Sequence, residues 1–178
     1  MIVPFEGVSP EIHSDALIAP NATIIGDVSI GPRTSIWYQV VIRGDVFPIR
    51  IGAEVNIQDL CMIHVTTDRF QTTIGDRVTV GHGAILHGCT LEAGSFVGMG
   101  AVVMDDVVVG EGAIVGARSL VTAGTRIPPG HLAIGSPARV KRPLTEAEVR
   151  MVTASPGNYF KLAKRHAAST PGFGRRTA

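Results

Sequence analysis

Three histidines lie close together in the middle of the chain, at His64, His82 and His87. The neutral imidazole is the commonest side-chain ligand of zinc, and three imidazoles with an open fourth position are typical of a catalytic zinc site. A single surface histidine needs no such role. The interpretation therefore depends on the elements that carry these three side chains and on whether they bring them together.

An aliphatic residue recurs every six positions along most of the chain. A period of six fits neither a helix, which needs 3.6, nor a simple strand, which needs 2. It corresponds to one short strand and one tight turn, so that three units make one coil of a triangular prism with the aliphatic side chains inside. No coil can bury its own core, so the stability comes from stacking. After three register shifts the repeat contains Ile12, Ile18, Ile24, Ile30, Ile36, Ile42, Ile51, Ile57, Ile63, Ile74, Val80, Leu86, Leu91, Val97, Val103, Val109, Val115, Val121 and Ile127.

The sequence thus predicts an all-β fold, a parallel β-helix of hexapeptide repeats over residues 1–140. Thr145 and Glu148 have the spacing of a capping box that opens a short helix. A second short helix is predicted from about Gly157 to His166, and both are expected to pack on the outside of the prism within a segment 141–168. Residues 169–178 are predicted to be a disordered tail.

Composition and charge narrow the possible partners. The net charge is +1, which gives no electrostatic reason to expect nucleic acid or a membrane surface. No run of about 18 apolar residues is present, and the amino-terminal segment lacks the pattern of a signal peptide. Two cysteines are too few for a disulfide framework and suit a reducing, cytoplasmic location. Composition and charge therefore favour neither nucleic acid nor a membrane as a partner.

Successive repeat positions fall on three faces, here called A, B and C. Face A contains Ile51, Ile74 and Leu91; face B contains Ile36, Ile57, Val80 and Val97; and face C contains Ile42, Ile63 and Leu86. One residue beyond each inward position of face C come Arg43, His64 and His87, whose side chains point outward. His82 lies instead beyond face B, stacked on Asp59. A metal ion bound by all three histidines is hard to build within one prism. The repeat therefore predicts a metal site between subunits, such as those of a cyclic trimer.

Further motifs carry a family resemblance. Arg43-Gly44-Asp45, the run Asn56 to Asp59 and the spacing His64-x17-His82-x4-His87 resemble the γ-class carbonic anhydrases, and the resemblance covers about residues 10–166. It implies a homotrimer of left-handed parallel β-helices with Zn2+ (or Fe2+ or Co2+) at each interface. The metal would be bound by His64 and His87 of one subunit and His82 of the next. The implied reaction is reversible hydration of CO2 to bicarbonate by metal-bound hydroxide, so the chain would be a lyase.

The resemblance also implies roles for residues around the metal. Gln58 would orient the metal-bound water, and Arg43 would form an ion pair with Asp59 across the interface. Asp45 and Asn56 would belong to the same polar cluster, and Tyr159 falls where short bacterial members carry a residue that reaches into the site.

This chain departs from the family archetype in the residues that remove the proton. The archetype has an acidic residue where this chain has Val46, and the short loop after His64 contains only one carboxylate, Asp68. Weak carbonic anhydrase activity is one expectation that follows. Two alternatives stay open: a hexapeptide acyltransferase or CoA-thioester enzyme, which would use one catalytic histidine, and a metal-binding trimer without catalysis.

Overall fold

The computed structural model describes residues 1–174, which form 20 strands and one helix. Most of the strands are only two or three residues long, as a repeat of strand and turn requires. In chain order the elements are β1 (Ile2–Val3), β2 (Glu11–Ile12), β3 (Leu17–Ile18), β4 (Thr23–Ile30), β5 (Ser35–Ile36), β6 (Val41–Ile51), β7 (Asn56–Ile57), β8 (Met62–His64), β9 (Thr72–Ile74), β10 (Thr79–Val80), β11 (Ile85–His87), β12 (Thr90–Leu91), β13 (Phe96–Val97), β14 (Val102–Val103), β15 (Val108–Val109), β16 (Ile114–Val115), β17 (Leu120–Val121), β18 (Arg126–Ile127), β19 (His131–Gly135), β20 (Ala138–Pro143) and α1 (Glu146–Ser169).

The strands stack into three parallel ladders, which confirms the predicted β-helix and the assignment of its faces. Face B is the ladder β3-β5-β7-β10-β13-β16-β19, to which β20 adds as an antiparallel edge. Face C continues from β6 through β8, β11, β14 and β17, and face A from β6 through β9, β12, β15 and β18. The long strands β4 and β6 run around the corner between faces C and A.

The core consists of the aliphatic residues that the repeat predicts. All of the repeat positions are buried except Ile12, which is partly exposed at the amino-terminal end of the prism and packs against the core. Small residues such as Ala84 and Ala101 fill the corners and are also fully buried. Because each coil contacts only its neighbours, the register of the core fixes which outward side chains stack on one another.

Two insertions interrupt the repeat at the corner between faces C and A. Gly26 pairs with Gly44, and Val28 pairs with Ile49, so residues 45–48 bulge outward opposite the single residue Asp27. The first insertion was expected as a loop, but it is a bulge within β6. A Cβ atom on Gly26 would lie 2.5 Å from the carbonyl oxygen of Gly44, so this tight corner requires glycine. The second insertion is a short loop closed by a bridge between Thr66 and Phe70.

The carboxyl-terminal part contains one helix and not the two short helices that were predicted. The predicted capping box is confirmed: Thr145 Oγ1 accepts from the backbone N–H of Glu148, and Glu148 accepts from that of Thr145. Helix α1 continues through Pro156, whose ring is buried against face B. A proline inside a helix removes one backbone hydrogen bond. Burial of its apolar ring and of neighbouring α1 residues accounts for the continuous helix.

The chain after α1 folds back onto the prism. Phe173 is buried in a cluster with Trp37, Ala19 and Ala163, and partly buried rings of Tyr38 and Tyr159 pack around it. The predicted disordered tail begins at residue 169, but up to residue 174 this segment is packed; residues 175–178 lie outside the described part of the chain. The predicted domain boundary at residue 140 falls within β20. In residues 1–174 no helix is apolar over a length that could cross a membrane.

Candidate metal centre

His64 and His87 occupy equivalent positions in adjacent coils of face C. Their Cα atoms are register partners in the β8–β11 ladder, as the sequence predicts. Nδ1 of His64 lies 3.2 Å from Nε2 of His87. Both rings are partly exposed, with 17% and 38% of the side chains accessible, so the pair is open to solvent or to another chain on one side.

A carboxylate contacts the remote nitrogen of each ring. His64 Nε2 lies 3.0 Å from Oδ1 of Asp45, and His87 Nδ1 lies 2.7 Å from Oδ1 of Asp105. Burial raises the pKa of both carboxyls, but hydrogen bonds with the histidines and with Arg43 or Thr66 outweigh burial, so both pKa values lie below the ordinary value. The two carboxylates are therefore ionised at neutral pH and can only accept hydrogen bonds.

The tautomers of the two imidazoles follow from these contacts. A neutral ring that donates one N–H to a carboxylate has a lone pair on its other nitrogen. His64 Nδ1 and His87 Nε2 are then both acceptors, and they face each other at 3.2 Å. Two lone pairs at this distance repel unless a positive charge lies beside them. The pair is thus suited to a shared proton or to a metal ion.

His82 lies at the opposite edge of face C, at the corner with face B. Its Nδ1 lies 2.8 Å from Oδ2 of Asp59, and its backbone N–H donates to Oε1 of Gln58 at 3.1 Å. These contacts confirm that Asp59 and His82 are stacked. The side chain of His82 is 42% exposed, and Nε2 has no hydrogen-bond partner in residues 1–174. The ring is therefore held at one nitrogen and is free to bind at the other.

The three histidines do not converge within one chain. No group of three His, Cys, Asp or Glu side chains in the described residues is placed to hold a metal ion. The predicted partners Arg43 and Asp59 are also on opposite sides: Arg43 pairs with Asp45, whereas Asp59 holds His82 and lies 3.3 Å from the backbone nitrogen of Tyr38. A contact between Arg43 and Asp59 requires a second chain and stays a prediction.

Asn56 and Tyr159 lie beneath or on α1, away from the histidine pair. Oδ1 of Asn56 accepts from Trp37 Nε1 at 2.8 Å and from Ser35 at 3.2 Å, while its buried Nδ2 has no partner among residues 1–174. The ring of Tyr159 packs edge-on against Trp37, with 5.7 Å between ring centroids. Within one chain both residues stabilise the contact between α1 and face B, and their predicted places in the site remain untested.

An apolar ladder covers face C between the two groups of histidines. The residue before each inward position is aliphatic or Met in five successive coils, and these residues are register partners: Val41, Met62, Ile85, Val102 and Leu120. Met62 and Ile85 are 39% and 42% exposed. Contiguous exposed apolar side chains beside a polar site mark a surface for another protein chain.

The two cysteines are not candidate ligands. Cys61 and Cys89 are both buried in the core, and burial raises the pKa of each thiol to about 12. The thiolate is the form that binds metals, and it is not formed at neutral pH in either residue.

Two residues of the site were not predicted from the sequence. Asp105 holds His87, and Oγ1 of Thr66 donates to Oδ2 of Asp105 at 2.8 Å. Asp105 comes two residues after Val103 in the next coil of face C, at the same corner as the residues that follow Leu86. The outward ladder counts one residue past each inward position and gives Met104 in this coil, so it does not identify Asp105.

Comparison with known proteins shows the family to which the chain belongs. Residues 9–44 and 88–123 match the family described as bacterial transferase hexapeptide (six repeats). A carbonic anhydrase of Geobacillus kaustophilus is 44% identical over 175 residues, which are 95% of this chain and 96% of the relative. The chain belongs to the γ-class carbonic anhydrase-like family. Gamma carbonic anhydrase 2, a mitochondrial protein of Arabidopsis thaliana, is 48% identical over 90% of this chain, which spans only 59% of that relative.

A solved structure also resembles this member of the carbonic anhydrase-like family. A Bacillus cereus protein described as a putative acetyltransferase superposes with a TM-score of 0.92 at 42% identity, over 94% of this chain and 97% of that one. Relatives with one architecture thus carry the names of two enzyme classes. The hexapeptide fold alone does not distinguish them, so the side chains of the site must.

Proposed function

We propose that the protein is a carbonic anhydrase that hydrates CO2 to bicarbonate at metal sites between the subunits of a homotrimer. The observation that carries the proposal is the pair of facing nitrogens on His64 and His87, each imidazole being held by a carboxylate. Oriented imidazoles with a carboxylate on the remote nitrogen are the usual arrangement of histidine ligands in metalloproteins. A cytoplasmic location belongs to the same proposal.

The donor set fits a zinc-class ion. Two ligands of a tetrahedral zinc ion with Zn–N bonds of about 2.0–2.1 Å are separated by roughly 3.3 Å. The distance of 3.2 Å between His64 Nδ1 and His87 Nε2 agrees with this separation. His82 of a neighbouring subunit would supply the third imidazole through Nε2, since Asp59 occupies its Nδ1. Fe2+ and Co2+ accept the same nitrogen ligands.

The placement of these groups supports a trimer. His64 and His87 lie at one edge of face C, His82 lies at the other, and the exposed apolar ladder runs between them. A neighbour packed on this ladder would bury it and bring its own His82 towards the histidine pair. Heterologous contacts of this kind close into a ring when each subunit uses both edges. Arg43 and Asp59, which contact the two halves of the site, would then meet across the interface.

The proposed hydration of CO2 gives the metal and the residues around it separate roles. A zinc ion bound there would lower the pKa of a water molecule to about 7 and so supply hydroxide for attack on the carbon of CO2. The amide oxygen of Gln58 is fixed by the backbone N–H of His82. Its Nε2 is left to donate to an oxygen of the reactants and to orient it. Asp45 and Asn56 remain predicted members of the surrounding polar cluster, and Tyr159 remains a predicted residue that reaches into the site.

The fate of the proton suggests a modest rate. Hydration of CO2 by water gives bicarbonate and one proton, which must leave before the next turnover. Val46, on the bulge beside Asp45, is 37% exposed and cannot accept it. Asp68, at the tip of the loop closed by Thr66 and Phe70, is the carboxylate that remains for transfer to buffer.

The acyltransferase alternative rests on the name of the Bacillus cereus structure. A hexapeptide acyltransferase needs one histidine as general base. Here three histidines are each held by a separate aspartate, at His64–Asp45, His82–Asp59 and His87–Asp105. Three oriented imidazoles favour a metal over a single base.

Stopped-flow measurement of CO2 hydration by zinc-loaded and iron-loaded trimer tests the proposed function. We expect a rate above that of buffer and about one metal ion per subunit. Both should fall in H82A, whereas H131A, which removes a partly exposed histidine on β19 at the far end of the prism, should leave them unchanged. Metal-free trimer, or metal-loaded trimer with no rate above buffer, would contradict the proposal.

A further inference from the structure

Several functional features meet at the corner between faces C and A. In successive coils this corner contains the bulge of residues 45–48, the loop of residues 66–70, Gly88 and Asp105. The bulge supplies Asp45 to His64, and Asp105 contacts His87 from the coil on the opposite side. The histidine pair is thus enclosed along the stacking direction by two carboxylates from different coils.

Asp105 uses both of its carboxylate oxygens in this corner. Oδ1 lies 2.7 Å from Nδ1 of His87, and Oδ2 accepts from Thr66 Oγ1 at 2.8 Å. A carboxylate held at both oxygens cannot rotate without losing one hydrogen bond. It therefore fixes the plane of the imidazole, keeps the proton on Nδ1 and leaves the lone pair of Nε2 directed towards His64.

Gly88 leaves the space that this carboxylate occupies. Its backbone has a φ of +55°, and a Cβ atom there would lie 2.3 Å from Oδ1 of Asp105 and 2.8 Å from Cβ of Phe70. No side chain fits between these two groups. The residue directly after His87 is therefore glycine because Asp105 occupies the space that a side chain would need. This steric requirement is independent of the hydrogen bonds that Asp105 makes.

The loop of residues 66–70 is rigid enough to hold Thr66. Backbone hydrogen bonds join Thr66 and Phe70 in both directions, at 3.1 and 3.2 Å. Just after the loop, Thr72 Oγ1 donates to the carbonyl oxygen of His64 at 2.6 Å. Thr72 on β9 thus contacts the backbone of His64, and Thr66 in the loop contacts the side chain of His87 through Asp105.

We propose that Asp105 is the positioning residue for His87. Thr66 holds the carboxylate of Asp105 by a hydrogen bond, and Gly88 leaves the space that this carboxylate occupies. The inference rests on the proposed metal site but adds residues to it. Asp105 acts through His87 and does not itself bind the metal. Carboxylates in this position typically change metal affinity about 10–100-fold.

Zinc competition with a chelator, carried out on intact trimers, tests the role of Asp105. We expect D105A to weaken zinc binding about 10–100-fold, and D105N to weaken it less, because the amide oxygen can still accept from Nδ1. The visible spectrum of the cobalt-loaded protein should change in D105A, since the orientation of His87 changes. D106N is the matched control: the neighbouring carboxylate pairs with Arg126 at 2.8 Å, away from the histidines.

Two further variants keep the role of Asp105 testable if D105A does not fold. T66V keeps the carboxylate but removes its support, and G88A displaces it; both should weaken zinc binding while metal-free trimers form normally. Wild-type affinity and an unchanged cobalt spectrum in D105A would overturn the inference, as would an equal loss in D106N. If the wild-type trimer binds no metal, the proposed function fails and this inference fails with it, whereas equal binding by wild type and D105A refutes the inference alone.

Discussion

His64 and His87 face each other as register partners across adjacent coils, with Nδ1 of the first 3.2 Å from Nε2 of the second. Their inward neighbours, Ile63 and Leu86, are fully buried register partners in the same ladder. The spacing of the two nitrogens is therefore set by the packing of the core. A slip of one residue in either strand would turn one histidine into the prism.

Complementation between two inactive variants should show that the site is shared between subunits. H82A and H64A should each form trimers that bind no metal in the shared site. In a mixed trimer, one interface combines the intact His64 and His87 of one subunit with the intact His82 of its neighbour. Random assembly from equal amounts should restore about one quarter of the sites, because about three quarters of the trimers are mixed and each has one intact interface. Metal analysis of the co-expressed trimers gives this fraction.

The control for complementation is co-expression of H64A with H87A. Both histidines come from the same side of the interface, so no mixed trimer has an intact site and no metal should be recovered. Recovery in this control, or full metal content in H82A alone, would show that the three histidines do not form one shared site.

The sequence was sufficient to predict the prism because a period of six leaves little freedom. Each inward aliphatic residue identifies a strand, and counting from Ile42 or Ile63 identifies the outward residues, including His64. The same count places His82 beyond face B, apart from His64 and His87. Once an insertion is placed at a corner, only its length is needed to continue the count of repeat positions. The faces were therefore predicted correctly although the first insertion is a bulge and not a loop.

Two parts of the structure could not be predicted by this counting. Contacts such as that of Asp105 with His87 depend on side-chain directions at a corner, where the repeat gives no alternation. The single helix was missed because Pro156 and Gly157 indicate a break locally. Burial of Pro156 and Phe160 against face B is a tertiary effect that outweighs this local preference.

A charge on the apolar ladder should dissociate the trimer. Met62 and Ile85 are exposed in the single chain, and a neighbour would bury them beside the metal site. We expect I85E to sediment as a monomer at micromolar concentration and to lose its metal, because a buried unpaired carboxylate costs several kcal/mol or more. Analytical ultracentrifugation with metal analysis measures both changes.

The matched control for this substitution is M151E. Met151 is also exposed, at 47%, but it lies on α1 and away from face C. A trimer of I85E with normal metal content would contradict the proposed interface, and dissociation of M151E would place the interface on the helix.

The link between β20 and α1 should weaken in acid through Glu148. Arg142 donates to both carboxylate oxygens of Glu148, at 2.8 and 2.9 Å, and Thr145 donates to one of them. These hydrogen bonds, that of Arg142 first, lower the pKa of Glu148 from 4.5 to about 2. Because the pKa is lowered on folding, the ionised carboxylate stabilises the folded state above pH 4.5, and this stabilisation is lost as the pH falls towards 2.

Urea unfolding of metal-free wild type and E148Q between pH 7 and pH 2.5 measures this contribution. We expect the variant to be less stable at neutral pH and the difference in unfolding free energy to shrink steadily below pH 4.5, since protonated Glu148 and glutamine are then alike. E146Q is the control, because Glu146 lies in the same turn and pairs with Arg150, at 3.3 Å, on the surface of the helix. A difference between wild type and E148Q that stays constant down to pH 2.5 would show that the charge of Glu148 does not stabilise the junction, and that only the shape of the side chain does.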